Sequence, residues 1–217
     1  MIRAVVFDLD GVIVDSEHVW DAAREGLARE RGGRWHEKAQ QDMMGMSSVE
    51  WSRYMHERIG IKDPPEKISA AVVRRLETIY REELPLIDGA KEAVARLADR
   101  WPLGLASSSN RPIIELVLDL GGLKRFFRVT VSSEEVPRGK PSPDVYLEAA
   151  RRLGSDPGET AAIEDSRNGI LSARAAGMRV IAIPNRRFPP GEEALAEADV
   201  VLRSISELTP AAVEGDA

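Results

Sequence analysis

Six short runs of β-branched and aliphatic residues constrain this chain most: Arg3–Asp8, Leu103–Ser107, Val129–Ser132, Thr160–Glu164, Val180–Pro184 and Val200–Leu202. None shows the polar alternation of a strand with one wet face, so each reads as a strand covered on both sides, as in a parallel sheet. Helical periodicity fills the gaps between them. Asp88–Asp99 carries Ala90, Ala93, Val94 and Leu97 on one face, and Ile113–Leu120, Pro143–Leu153 and Gly169–Ala176 follow the same rule. Gly154 and Gly177 stand where helices should stop. Strands alternating with helices predict a doubly wound, Rossmann-like α/β core.

One segment breaks the alternation. From about Glu17 to Leu84 no strand pattern occurs; helical patterns near 17–31, 36–44, 48–59 and 65–82 are separated by "RGG" and "KDPP". The reading is an α-helical cap domain, residues 16–85, inserted into a core of residues 1–15 and 86–217. Its hinges fall near Val14–Ser16 and Pro85–Gly89. Residues Glu214–Ala217 are expected to fray.

The length of 217 residues suits one large domain or a core with a modest insert. With 30 Lys+Arg against 36 Asp+Glu, the formal net charge of -6 gives no support for a nucleic-acid or membrane-surface partner. There is no cysteine, which excludes disulfides and zinc–thiolate sites. No apolar run approaches the roughly 20 residues of a membrane helix. The first strand begins at about Ile2 and leaves no room for a signal peptide, so the expected location is cytoplasmic.

Ligands of an open parallel sheet bind beyond the carboxyl ends of its strands. The first strand ends on Asp8 and Asp10 before Gly11, the second in Ser107, Ser108, Ser109 and Asn110, and the fourth in Glu164-Asp165; Lys140 sits ahead of the fourth, next to a turn and a helix start. Clustered carboxylates need a cation. Oxygen-only ligation points to Mg²⁺, which shares its shell with phosphate. A carboxylate can attack phosphorus, and in-line transfer needs its charge neutralised by metal, lysine and hydroxyl or amide donors.

"FDLDGVIVDSE", "LASSSN", "GKPSPD" and "IEDSRNGILSARAAGM" together resemble, in order, the four motifs of the haloacid dehalogenase-like superfamily, and they span Phe7 to Met178. The helical insert is similar to the small cap of its β-phosphoglucomutase and phosphoglycolate phosphatase branch. The resemblance implies that Asp8 is the nucleophile and becomes an aspartyl phosphate. Asp10 would be general acid and then base. Ser107 with its neighbouring amides, Ser108 and Asn110 would bind the phosphoryl group, and Lys140 would bridge Asp8 and phosphate. Mg²⁺ would be held by Asp8, the carbonyl of Asp10, Asp165 and Glu164. Some relatives carry a further acid of the last motif four residues after the position of Asp165; here that position is Gly169.

The activity implied is Mg²⁺-dependent hydrolysis of a small phosphomonoester, a sugar phosphate, by a monomer or homodimer. The alternatives are a β-phosphoglucomutase-like phosphomutase and a non-catalytic phosphosugar-binding regulatory protein. Dehalogenation is disfavoured because a halide needs no protonation by Asp10. Hydrolysis is preferred over mutase action because Trp20 and Ser48 stand where mutase relatives place a histidine and an arginine.

Cap residues have no mechanism-bound spacing. Met43, Met44 and Met46 read as core filler, Trp20 and Trp51 as either packing or substrate-facing, and Glu17 as facing the cleft. His18, His36 and His56 show no ligand spacing. The arginine pairs at 74–75, 151–152 and 186–187 read as solvated faces, and Arg111 as a candidate for holding the rest of the substrate.

Overall fold

A computed structural model describes residues 1–43 and 46–215. Its core is one parallel sheet of six strands, β1 (Ala4–Phe7), β2 (Leu103–Ser107), β3 (Phe127–Ser132), β4 (Thr160–Glu164), β5 (Arg179–Ala182) and β6 (Val200–Val201), in the order β3-β2-β1-β4-β5-β6. The chain first builds outward from β1 to β3, then returns to the other side of β1 and builds to β6. The reversal beside β1 is where a doubly wound sheet opens a crevice for a ligand.

The missing alternation is explained by two covered faces. Val5 and Phe7 of β1, Leu103 and Leu105 of β2, and Ala161 and Ile163 of β4 point into one apolar cluster with helices α5 (Ala90–Ala98) and α6 (Arg111–Leu120). Val6, Ala106 and Ala162, between them in sequence, point into a second cluster with α7 (Asp144–Leu153) and α8 (Arg167–Ala175). β3 lies at the sheet edge and begins two residues earlier than its apolar pattern, because Phe127 and Arg128 are not fully covered. Gly154 ends α7 in the left-handed conformation at φ 69°.

Between β1 and α5 lie only helices among the described residues: α1 (Glu17–Glu30), α2 (Ala39–Met43), α3 (Ser48–Glu57) and α4 (Pro65–Glu82). Ser47 and Glu50 form a capping box at the start of α3, and Pro65 opens α4. Met44 lies outside the described residues. The two chain crossings run side by side: Ile87 N donates to Ile13 O and Asp15 N to Pro85 O, each at 2.9 Å.

Two short helices have no sequence counterpart above, α9 (Glu192–Leu195) and α10 (Pro210–Glu214). The second corrects the expected fraying in part. Glu214 closes α10, and Gly215 N donates to Ala211 O at 2.9 Å; Asp216 and Ala217 lie outside the described residues.

Candidate active site

The carboxyl ends of β1, β2 and β4 converge on Lys140. Its ammonium donates to Asp8 Oδ1 at 2.8 Å, to Glu164 Oε1 at 2.5 Å and to the Ala106 carbonyl at 3.1 Å, using all three protons. All three charged side chains are buried, and Asp165 is buried beside them. One carboxylate oxygen each from Asp8, Glu164 and Asp165 can be chosen so that all lie within 4.8 Å of one another.

Three acids against one cation leave this buried cluster short of positive charge. Burial pushes the Asp8 carboxyl up to about 8, with Lys140 opposing and Glu164 and Asp10 adding to the rise. Asp165 is raised well above the usual range by burial, then by Glu164 and Asp8. Burial works against the Lys140 charge as well, but Asp8 and Glu164 outweigh it and the ammonium is held more firmly than usual. A divalent cation would relieve the deficit, so the donor set fits a hard metal ion.

Within this cluster Glu164 has a second occupation. Its Oε1 also accepts from the Tyr146 hydroxyl at 2.6 Å, while Oε2 accepts from Asp165 N, Ser166 N and Ser166 Oγ at 3.1–3.3 Å. Both oxygens are therefore already engaged by the protein, whereas Asp165 borders the open cavity. The glycine four residues past Asp165 is also explained. A Cβ at Gly169 would lie 1.9 Å from the Glu164 carboxylate, so this side chain occupies the space an acid at 169 would need. Gly11 has a similar origin. Its φ is 78°, and a Cβ there would lie 1.8 Å from Asp165 Oδ2. Turn geometry and the metal-side acid both demand glycine.

Asp10 is gripped from four directions. Oδ1 accepts from Ser16 Oγ at 2.5 Å and from the indole N–H of Trp20 at 3.0 Å; Oδ2 accepts from Ser109 Oγ at 2.6 Å and Ser107 Oγ at 3.4 Å. An indole only donates, so Oδ1 is an acceptor toward Trp20. Serine hydroxyls can turn round, so Oδ2 is the oxygen that can carry and release a proton. Trp20 thus touches the acid–base candidate from the cap, though it cannot exchange a proton with it.

A cavity of about 490 Å³ lies over these groups, between cap and core. Asp8, Asp10, Lys140 and Asp165 form its floor with Ser108 and Ser109; Glu17, Trp20, Arg24, Met43, Met46 and Trp51 line it from the cap. Met43 and Met46 are therefore wall as well as filler, and Trp20 and Trp51 do both tasks, packing edge to face at 6.0 Å. Ser107 and Asn110 lie behind the cavity. Ser107 Oγ accepts from Ser109 N at 2.9 Å. The Asn110 amide turns to Glu134 Oε1 at 2.7 Å, which also accepts from Ser48 Oγ of the cap at 2.9 Å. Arg111 is drawn to Glu135 and Thr130, away from the cavity. The sequence reading missed Arg24 and Tyr146. Arg187 is exposed, as the sequence led one to expect, and with Phe188, Pro189 and Pro190 it also borders the cavity. Glu17, Trp20 and Arg24 recur at helical spacing on one face of α1, which was the available signal.

A parallel sheet in this order, with carboxylates and a buried lysine at its switch point and a helical cap above, defines a class of phosphoryl-handling α/β hydrolases. Residues 2–177 match the haloacid dehalogenase-like hydrolase family, and the chain belongs to it. Over 213 residues it is 35% identical to hexitol phosphatase B of Escherichia coli (strain K12), covering 96% of this chain and 95% of that protein. A probable pseudouridine-5'-phosphatase of Drosophila melanogaster is 30% identical over 94% of this chain and 90% of its own. Among solved structures, CbbY from Rhodobacter sphaeroides in complex with phosphate superposes with a TM-score of 0.88 at 27% identity, covering 99% of this chain and all of that one.

Proposed function

We propose that this phosphoric monoester hydrolase is a Mg²⁺-dependent phosphatase acting on a small phosphomonoester of the sugar-phosphate class through an aspartyl-phosphate intermediate. The observation that carries the reading is Lys140, clamped between Asp8 and Glu164 beside Asp165 at the floor of the cavity. Asp8, the main-chain carbonyl of Asp10 and Asp165 would hold the ion, which supplies charge neutralisation to the phosphoryl oxygens. Glu164 supports Lys140, with its oxygens already taken by Lys140, Tyr146 and the amides after it.

The chain's own groups then divide the work. Asp8 attacks phosphorus with the carboxylate oxygen not held by Lys140, and Lys140 keeps that carboxylate oriented while countering the charge of the phosphoryl oxygens. Ser108 and Ser109 lie at the cavity floor near the start of α6, where phosphoryl oxygens would meet donors. Asp10, carrying its proton on Oδ2, gives it to the departing alkoxide. The resulting carboxylate takes a proton from water as water attacks the acyl phosphate, releasing phosphate and restoring Asp8. The cap, which we place at residues 16–85 against a core of 1–15 and 86–217, screens the intermediate and reads the leaving group.

Hydrolysis is favoured over phosphomutase action by two contacts. The cap group against Asp10 is an indole donor, not a base, and Ser48 is committed to Glu134. A non-catalytic phosphosugar-binding role is disfavoured because nucleophile, acid and lysine are all present and assembled. Phosphate release from a panel of sugar and hexitol phosphates, with Mg²⁺ and with EDTA, tests the proposal. Full activity in EDTA would overturn the metal assignment. Incubation with β-glucose 1-phosphate and a trace of glucose 1,6-bisphosphate separates the two enzymes; glucose 6-phosphate appearing faster than phosphate would establish the mutase.

A further inference from the structure

Arg24 is the anomaly of the cavity. It lies on α1, one turn beyond Trp20 and two beyond Glu17, and only 5% of its surface is exposed. Its guanidinium carbon sits 4.8 Å from the Trp20 ring centroid and 5.0 Å from that of Trp51. The two rings, inclined at 64° to each other, hold the guanidinium in the corner between them without satisfying its Nε–H. Its Nε has no hydrogen-bond partner among the described residues. Glu17, Asp10 and Asp21 act on it through their fields alone, and burial pulls its pKa down to about 10. The acid on its own helix face, Glu17, is held by the Gln40 amide at 2.9 Å. A buried cation is stable when it is paired; this one is positioned, oriented and left open toward the space where a substrate's leaving group would lie.

We propose that Arg24 receives an oxyanion on the end of the leaving group remote from the transferred phosphate. The inference rests on the phosphatase reading and deepens it. The substrate class becomes a phosphomonoester with a second anionic group, either a carboxylate or a second phosphate. The rest of the cavity agrees in sign. Once Asp8, Asp10, Asp165 and Lys140 are engaged with metal and phosphate, the remaining charged lining is Arg24, Arg167 and Arg187 against Glu17. A planar guanidinium offers a carboxylate or phosphate two parallel donors, and the two indoles beside it keep the group at the cavity wall.

The test compares esters that differ in the remote group. For wild-type protein with Mg²⁺, kcat/KM is measured on 6-phosphogluconate against sorbitol 6-phosphate, and on fructose 1,6-bisphosphate against fructose 6-phosphate. The expected result is a preference of about 10- to 100-fold for the anionic member of at least one pair, the worth of one charged hydrogen-bonded contact. The first pair reports a carboxylate, the second a phosphate. Arg24→Gln should bring the preferred ratio close to 1, and Arg24→Lys should keep part of it. Equal wild-type kcat/KM within both pairs, or preference for the neutral members, overturns the proposal without needing a variant. So does an Arg24→Gln ratio unchanged from wild type, because a residue that only spaces the tryptophans would lower both members alike. Acetyl phosphate, which has no remote group, checks the phosphatase reading separately. Its hydrolysis without any anionic preference removes this inference and leaves that reading standing.

Discussion

At the scale of single residues, the site is a set of oxygens and protons whose assignments can be exchanged one at a time. Asp8→Asn cannot form an acyl phosphate and should abolish turnover while circular dichroism stays unchanged; near-native rates would remove Asp8 as nucleophile. Asp10→Asn removes the proposed acid–base group, and steady-state assays should show a fall on the order of 10²–10⁴-fold. Tyr146→Phe deletes one donor to Glu164 in a fully buried setting. Urea unfolding should register a loss of about 1–3 kcal/mol, and an unchanged midpoint would mean that Lys140 alone satisfies that oxygen. Asp8, Asp10, Lys140 and Asp165 were legible in the sequence because chemistry ties their spacing to strand ends. Tyr146 was not, since its place in an amphipathic helix accounts for a buried aromatic ring and says nothing of where the hydroxyl points. Arg24 was hidden for a related reason: spacing placed it on a face, and only packing placed two indoles around it.

At the scale of elements, one carboxylate of the core bonds both to the cap and to a second core element. Glu134, just after β3, accepts from Asn110 and Ser48 on one oxygen and from Arg111 N on the other at 3.2 Å, so it ties α3 to the start of α6. Asn110 was legible as the residue preceding a helix, but its side chain makes no cap bond; the partner lies beyond a whole helix and strand, where local pattern cannot reach. Glu134→Ala removes these acceptors together. Hydrogen exchange should quicken in α3 and in the first turn of α6, while β4 and β5 keep their protection. Unchanged exchange in α3 would show that the Glu134 bonds do not seat the cap. The strands themselves were legible almost to the residue because burial on both faces leaves a continuous apolar run. The short helices α9 and α10 were not, since one or two turns carry too few positions for periodicity to register.

At the scale of the whole molecule, the acidic cluster couples stability to pH and metal. The Asp8 pKa is about 8 when folded without metal, above its unfolded value near 3.8. Its contribution is thus fully present below the unfolded value and is lost as pH rises toward 8. Metal-free protein should therefore show a falling Tm across about pH 4 to 8. Because the cation binds the ionised carboxylates, the Tm gain on adding Mg²⁺ should be larger at pH 8 than at pH 5. Equal gains at both would argue that the ion binds elsewhere. The strand order has a consequence of another kind, for the chain's birth. β1, which the candidate nucleophile Asp8 follows, lies inside the sheet, yet it is made before every other strand, and the residues paired with Val5 are Leu103 and Ala161. Until Leu103–Ser107 is made its backbone has no strand to bond, its other edge stays open until Thr160–Glu164 follows, and the helices of the insert are completed before either flank arrives. Nascent chains arrested before residue 160 should consequently remain bound to chaperones and sensitive to protease in the segment around β1, however well the inserted helices have formed.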